Sequence, residues 1–258
     1  MTRLVRLETI MNRKNWKEGM AMKKVLIIIP AYNEQDSIKT VVDNLIQNYP
    51  QYDYVIVNDG SKDGTRRICK ENNYNLLDMP INLGLAGGFQ AGMKYAYRSG
   101  YDYAIQFDAD GQHKAEYIET IFNKINEGYD IVIGSRFVDT KKPFSMRMIG
   151  SRMISLAIRI TTGKKIKDPT SGMRMFSKSV IKECAINMNY GPEPDTISYL
   201  IKNGAKIAEV QVEMDERIAG QSYLTAFKSM SYMIRMLTSI FIIQNFRKRD
   251  RKYIDDLQ

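Results

Sequence analysis

Val25-Leu26-Ile27-Ile28-Ile29-Pro30-Ala31-Tyr32-Asn33-Glu34 is the stretch on which the reading of the fold turns. Its first five residues are apolar without interruption and mostly β-branched, so both faces of the strand they form must be covered, as in a parallel sheet. Pro30 ends the run, and a helix is predicted from about Asp36. Working outward, the same unit recurs. Tyr54–Val57 precedes a helix from about Asp63, Asn75–Met79 precedes one from about Ala86, and Tyr103–Phe107 precedes one from about Lys114, with a further strand at Asp130–Ile133. Alternating strand and helix predicts an α/β fold with a mainly parallel, Rossmann-like sheet and ligands at the carboxyl ends of the strands. Met173–Phe176 and Lys206–Met214 are expected to extend that sheet around a helix spanning about Asp195–Lys202.

The loops at those carboxyl ends carry the chemistry. The first strand runs into Pro30-Ala31-Tyr32-Asn33-Glu34, without the glycines of a dinucleotide-binding turn or the Gly-Lys-Ser/Thr of a phosphate-binding loop. The fourth runs into Asp108-Ala109-Asp110-Gly111-Gln112-His113. Residues two apart on an extended chain share a side, so both carboxylates can face one object, and oxygen-only ligands suit Mg²⁺ or Mn²⁺ held between protein and substrate phosphates. The second strand ends in Asn58-Asp59-Gly60-Ser61, where Asp59 could accept from a base N–H. Asp63 reads as a cap of the next helix.

Composition removes other classes. The chain has 258 residues, 44% of them hydrophobic, enough for one substantial core with appendages. Cys69 and Cys184 lie far apart with no metal-ligand spacing, and the single histidine, His113, leaves no material for a multi-histidine zinc site and little for a Ser-His-Asp triad. The net charge of +9 is segregated: Met1–Lys24 carries seven Lys/Arg against two acids, and Arg136–Lys182 carries twelve against Asp139 and Asp168. An acidic remainder argues against a nucleic-acid surface, whereas the basic segment must face a more local anion.

Within that segment, 143–161 reads as a basic amphipathic helix with Met146, Ile149, Met153, Leu156 and Ile160 at helical spacing among Arg147, Arg152 and Arg159. Surface contact with a membrane and ordinary packing on the core both fit it. A last amphipathic helix is expected over about Leu224–Phe246, followed by a basic tail. No apolar run reaches 18 residues, so no complete transmembrane helix is expected, and the N-terminus lacks the apolar centre of a signal peptide. The expected organisation is a loosely ordered extension over 1–22, the α/β domain over 23–223, and a C-terminal amphipathic helix with its basic tail over 224–258.

Taken in order, Pro30–Glu34, Asn58–Ser61, Asn82-Leu83-Gly84, Asp108–His113, Gly134-Ser135-Arg136-Phe137 and Asp168-Pro169-Thr170-Ser171-Gly172-Met173-Arg174 resemble the motif series of family 2 glycosyltransferases. The nearest branch is that of dolichyl-phosphate and polyprenyl-phosphate sugar transferases. The resemblance implies a GT-A fold, a nucleotide-diphosphate sugar donor and an inverting transfer. It implies nucleoside and donor contacts at Pro30, Ala31, Tyr32, Glu34, Val57, Asp59, Asp108 and Ala109, and a metal and diphosphate site at Asp108, Asp110 and Gln112. Catalytic roles fall to Asp110 and to Arg217, in Arg217-Ile218-Ala219-Gly220-Gln221-Ser222.

A lipid-phosphate acceptor is itself an anion, and the resemblance assigns it to Arg136, Arg147, Ser151 and Arg174, within the basic segment. A saccharide hydroxyl would instead need a base, for which Glu193 and Asp195 are the candidates, both also suited to start a helix. A non-catalytic sugar-nucleotide-binding protein is the third reading. The expected place of action is the cytoplasmic face of a membrane, as a peripheral protein. Two departures stand out: Asn58 where relatives commonly carry paired acids, and Ser222-Tyr223 where relatives often place Ser-Lys.

Overall fold

A computed structural model describes residues 23–187, 191–218 and 226–244. The extension 1–22, the stretch 219–225 with Ser222 and Tyr223, and the basic tail lie outside the described residues. The first strand, β1 (Val25–Ala31), is buried along nearly its whole length, as an uninterrupted apolar run requires. The alternation continues through α1 (Ile38–Asn48), β2 (Asp53–Asn58), α2 (Thr65–Glu71), β3 (Leu76–Asp78), α3 (Gly84–Arg98), β4 (Tyr103–Gln106), α4 (Tyr117–Ile125) and β5 (Ile131–Ser135). Then follow α5 (Met146–Thr162), β6 (Arg174–Ser177), α6 (Lys178–Ile186), α7 (Pro194–Lys202), β7 (Ile207–Gln211) and α8 (Ala226–Thr238), which runs on into a π-helical turn at Ser239–Ile243.

The seven strands lie in the order β3-β2-β1-β4-β6-β5-β7. Only β6 is antiparallel to its neighbours, so the sheet is mainly parallel, as expected. The late strands do not both extend it, however. Only β7 does, parallel to β5 at the edge. β6 fills the space between β4 and β5, with Ile105 paired to Met175 and Ile131 to Phe176. The chain leaves β5, makes α5, and re-enters from the carboxyl side, which forces the reversed direction. α6 follows β6 directly, packs against α3, and had no counterpart in the sequence reading. Two buried clusters cover the sheet, one built on Leu26, Phe89, Met93, Ile133 and Phe176, the other on Ile27, Ile38, Ile105, Ile118 and Met175.

The strand order turns back at β1, whose neighbours are β2 on one side and β4 on the other. A sheet of this kind opens a crevice at such a switch point, beyond the carboxyl ends of the strands. The Tyr32–Glu34 and Asp108–Asp110 loops leave from that place.

α5 is fixed at both ends: the Ser145 hydroxyl accepts from the Met148 N–H, and Gly163 closes the helix at φ 72°. Its core face is Met148, Ile154, Ala157 and Ile158. Met146, Met153, Leu156 and Ile160 point outward, Met146 and Ile160 at 68% and 65% exposure, beside Phe144 at 89%. The stripe that gave the segment its amphipathic pattern is therefore largely not the stripe that packs.

Candidate active site

Asp110 is 4% exposed and fully engaged. Its Oδ2 lies 2.8 Å from Arg217 Nη2, and its Oδ1 accepts from the Gln112 N–H at 3.0 Å. Arg217 reaches it because the segment after β7 runs back along the acid loop. Asp215 N–H donates to the Gln112 carbonyl, Ile218 N–H donates to the Asp110 carbonyl, and His113 pairs with Met214 in an antiparallel bridge. Gly111 sits at φ +81°, under the Ile218 side chain, so a Cβ there would meet both a strained backbone and a collision. These contacts join residues more than 100 positions apart into one unit.

Asp108 is more open, its side chain 37% exposed. Gln106 Nε2 donates to its Oδ1 at 3.1 Å. His113 supports it from behind: the Asp108 N–H donates to Nδ1 at 2.9 Å, which puts the ring proton on Nε2, 3.5 Å from Asp108 Oδ2. The imidazole is buried edge-on to Phe107, so it orients the carboxylate rather than adding a ligand of its own. Gly172 backs the same oxygen, since a Cβ there would come within 2.6 Å of Asp108 Oδ2.

The other wall of the crevice is two loops laced together. Glu34 N–H donates to Thr65 Oγ1, Gln35 N–H to Asp63 Oδ2, Gly64 N–H to Gln35 Oε1, and Lys62 N–H to Asn33 Oδ1. Asp63 also accepts from the Thr65 N–H and hydroxyl, but it stands one residue before the helix cap, which is Gly64, so the expected capping role is not the one it has. Asp59 is buried and its Oδ1 accepts from the Leu83 N–H at 2.7 Å, which ties in the Asn82-Leu83-Gly84 motif. Tyr32 is exposed, whereas the Ala31 and Val57 side chains are buried in the floor. Burial holds the Glu34 carboxyl above its usual range despite the Ser37 hydroxyl donating to it; Arg217 pulls it down, while Asp110 and Asp108 push it up. That mutual influence brings the ends of β1 and β4 into one electrostatic site.

Asn58, the departure in the second motif, has a physical reason. Its Nδ2 donates to Asp78 Oδ1 at 2.8 Å, and Asp78 also binds Arg66. A second carboxylate at position 58 would face that of Asp78.

The expected acceptor residues are placed differently from one another. Arg136 has its fork on Asp168, Nε to Oδ2 at 2.7 Å and Nη2 to Oδ1 at 3.0 Å. Asp168 is 0% exposed; burial alone would raise its pKa, but the hydrogen bonds and charge of Arg136 hold it below the usual carboxylate range. Arg174 is buried too, its guanidinium donating to the Pro192 and Pro169 carbonyls, and burial lowers its pKa to about 10. Ser151 is covered, with Lys142 Nζ donating to its hydroxyl at 2.8 Å. Of the four, only Arg147 is exposed and, among the described residues, without an ion-pair partner. Three of the residues expected to meet an acceptor thus hold the surrounding loops. Sequence reasoning passed over Lys142, which the lysine count of the segment had not distinguished from its neighbours.

Glu193 and Asp195 begin α7 and are bound to α8 and its π-helical turn. Arg235 Nη2 lies 2.8 Å from Glu193 Oε1, and the Ser239 hydroxyl donates to Asp195 Oδ2 at 2.6 Å.

Among the described residues no three His, Cys, Asp or Glu side chains gather as a metal centre. The protein can offer a hard cation carboxylate oxygens from Asp108 and Asp110, with Gln112, its Nε2 3.5 Å from the Asp215 carbonyl, as the third residue of the expected site, a donor set that fits Mg²⁺ or Mn²⁺ beside a diphosphate. No described helix is long and apolar enough to cross a membrane.

A family model described as glycosyl transferase family 2 matches residues 26–185. The chain is 35% identical over 218 residues to a UDP-N-acetylglucosamine–dolichyl-phosphate N-acetylglucosaminyltransferase of Methanococcus voltae, across 75% of this chain and 86% of that one. It is 27% identical to the polyprenol monophosphomannose synthase of Mycolicibacterium smegmatis, across 83% and 86%. Among solved structures, glucosyl-3-phosphoglycerate synthase from Mycobacterium tuberculosis, crystallised with Mn²⁺, UDP and phosphoglyceric acid, superposes with a TM-score of 0.66 at 14% identity, covering 89% of this chain and 81% of that one. At that identity the likeness shows the fold alone.

Proposed function

Because this chain belongs to glycosyl transferase family 2 and is a glycosyltransferase, we propose that it moves a sugar, with inversion, from a nucleotide-diphosphate sugar to a polyprenyl phosphate at a membrane surface. The observation that carries the donor half is the Asp108–Asp110 loop at the switch point, with Arg217 held on Asp110 at 2.8 Å. The nucleoside lies between Tyr32 and the Asp59 wall, and the diphosphate reaches the acid pair. Asp108 and Asp110 would hold a divalent cation, which supplies Lewis-acid neutralisation of the diphosphate when bound. Arg217 places a second positive charge where the departing nucleotide diphosphate gains its own, and a preorganised charge there favours the transition state over the ground state.

Transfer forms a bond between a phosphate oxygen of the acceptor and the anomeric carbon as the bond from that carbon to the diphosphate breaks. An ionised phosphate oxygen has no proton to give up, so no base is required. That suits the engagement of Glu193 and Asp195 with α8. The names of the two relatives, each with a lipid-phosphate or polyprenol substrate, support the same acceptor class. The outward apolar stripe of α5, flanked by Arg147, Arg152 and Arg159, supports contact with a membrane surface, where an isoprenoid acceptor resides.

The test is donor turnover with Mg²⁺ or Mn²⁺ present and after chelation, in wild type and Asp110→Ala. Turnover that needs the cation and is lost in the variant, with the circular dichroism spectrum unchanged, supports the reading. Equal turnover after chelation would remove the metal from it.

A further inference from the structure

Beside α5 lies a cleft of about 650 Å³ walled by the 137–142 loop, the helix face carrying Arg152, Ser155 and Arg159, and Lys165–Lys167. Its lining has six Lys or Arg side chains and one acid, Asp139. Several of the cations are already committed: Lys167 Nζ donates to the Val138 carbonyl, and Arg152 Nη2 to that of Lys142. Lys142 differs. It is half-buried, and among the described residues its ammonium donates to two hydroxyls rather than to a backbone carbonyl, Ser151 Oγ at 2.8 Å and Ser155 Oγ at 3.5 Å, with the Phe137 ring 5.4 Å away. Among the described residues no carboxylate lies within ion-pair distance of it. Taking a cation partly out of water is unfavourable, and burial holds this ammonium below its usual pKa even though Asp168 and Glu209, beyond ion-pair distance, pull it up. An anion in the cleft would reverse that cost.

Through its partner Ser151, Lys142 connects the cleft to the donor loop. Ser151 Oγ is 3.5 Å from Thr170 Oγ1, and Thr170 stands two residues, at most about 7 Å of chain, before Gly172, which abuts Asp108. Leu156 and Ile166 provide an apolar wall on the way out, suited to a hydrocarbon chain.

We propose that Lys142 receives the phosphate of the lipid acceptor at the inner end of this cleft, a role that rests on the acceptor class given above. The experiment is initial-rate kinetics of the full chain with a short polyprenyl phosphate in detergent, comparing wild type, Lys142→Met and Lys142→Arg. The Met variant should raise KM for the lipid phosphate about tenfold or more, with donor KM within about threefold, and the Arg variant should recover most of the loss. As a check that needs no variant, lipid phosphate should protect Lys142 of the wild type from an amine-modifying reagent, read by peptide mass spectrometry, and nucleotide diphosphate should not.

An unchanged lipid-phosphate KM in Lys142→Met, or no protection, overturns this proposal alone. Equal protection by anionic phospholipid vesicles would do so too, by assigning the cleft to bulk headgroups. A wild type that transfers to no lipid phosphate overturns the acceptor class and this proposal with it.

Discussion

Replacing Arg136 by alanine separates a structural from an acceptor-binding role. Arg136 makes a bidentate contact to Asp168, a carboxylate with 0% exposure, and is itself 23% exposed. Removing one partner of a buried pair strands the other charge, at roughly 3–5 kcal/mol. Asp168 keeps hydrogen bonds from the Arg136 N–H and Thr170 Oγ1, which places the loss near the lower end, about 3 kcal/mol. For a chain of this size that is a fall in melting temperature of about 6–12 °C. Arg136→Lys, which keeps the charge but not the fork, should lose roughly half as much.

The pH dependence has a definite sign. The folded pKa of Asp168 lies below its ordinary value near 3.8. The pair therefore stabilises the fold fully above that value, and the contribution is lost as pH falls through the lower, folded one. Thermal melts followed by circular dichroism should show a gap between wild type and Arg136→Ala that is widest near pH 7 and narrows as pH falls, starting above the ordinary carboxylate value because the stranded, buried Asp168 of the variant takes up a proton first. A gap under 2 °C at pH 7, joined to a large rise in acceptor KM, would refute the structural role and return Arg136 to the acceptor site.

Other substitutions follow from the same contacts. Gly172→Ala should lower kcat/KM about 10- to 100-fold by displacing Asp108, with the melting temperature changed by only a few degrees. Arg217→Met should lower kcat about 100- to 1,000-fold in steady-state assays, the loss expected when a charge aimed at the leaving group is removed. Asn58→Asp should destabilise by about 1–3 kcal/mol in denaturant titrations, because its carboxylate meets that of Asp78, and the loss should shrink at low pH as the acids protonate.

The first half of the fold was legible because its signals are local. Apolar runs such as Val25–Ile29, and Tyr103–Phe107 broken only by Gln106, alternate with helical stretches, and each strand ends in a recognisable loop. The position of β6 was not, since its pairing to both β4 and β5 is set by how a chain returning from α5 enters the sheet. In the site, the sequence singled out the acid pair and Arg217, and the fold brings Arg217 onto Asp110. Counting charge located the basic segment but could not say which cations were already paired. Asp168 lies 32 residues from Arg136, and the carbonyls that hold Arg174 become its partners only on folding. Lys142 gave no signal beyond membership of a lysine-rich loop, because its distinction, a half-buried ammonium held by the Ser151 and Ser155 hydroxyls, is a property of the packed chain.

The most direct measurement is a panel of nucleotide-diphosphate sugars against short polyprenyl phosphates and saccharide acceptors, each with Mg²⁺ or Mn²⁺, with products identified by mass spectrometry. The account predicts a glycosylated polyprenyl phosphate from at least one donor and none with the saccharides. Transfer to a saccharide hydroxyl, with polyprenyl phosphates inert across all donors, would contradict it.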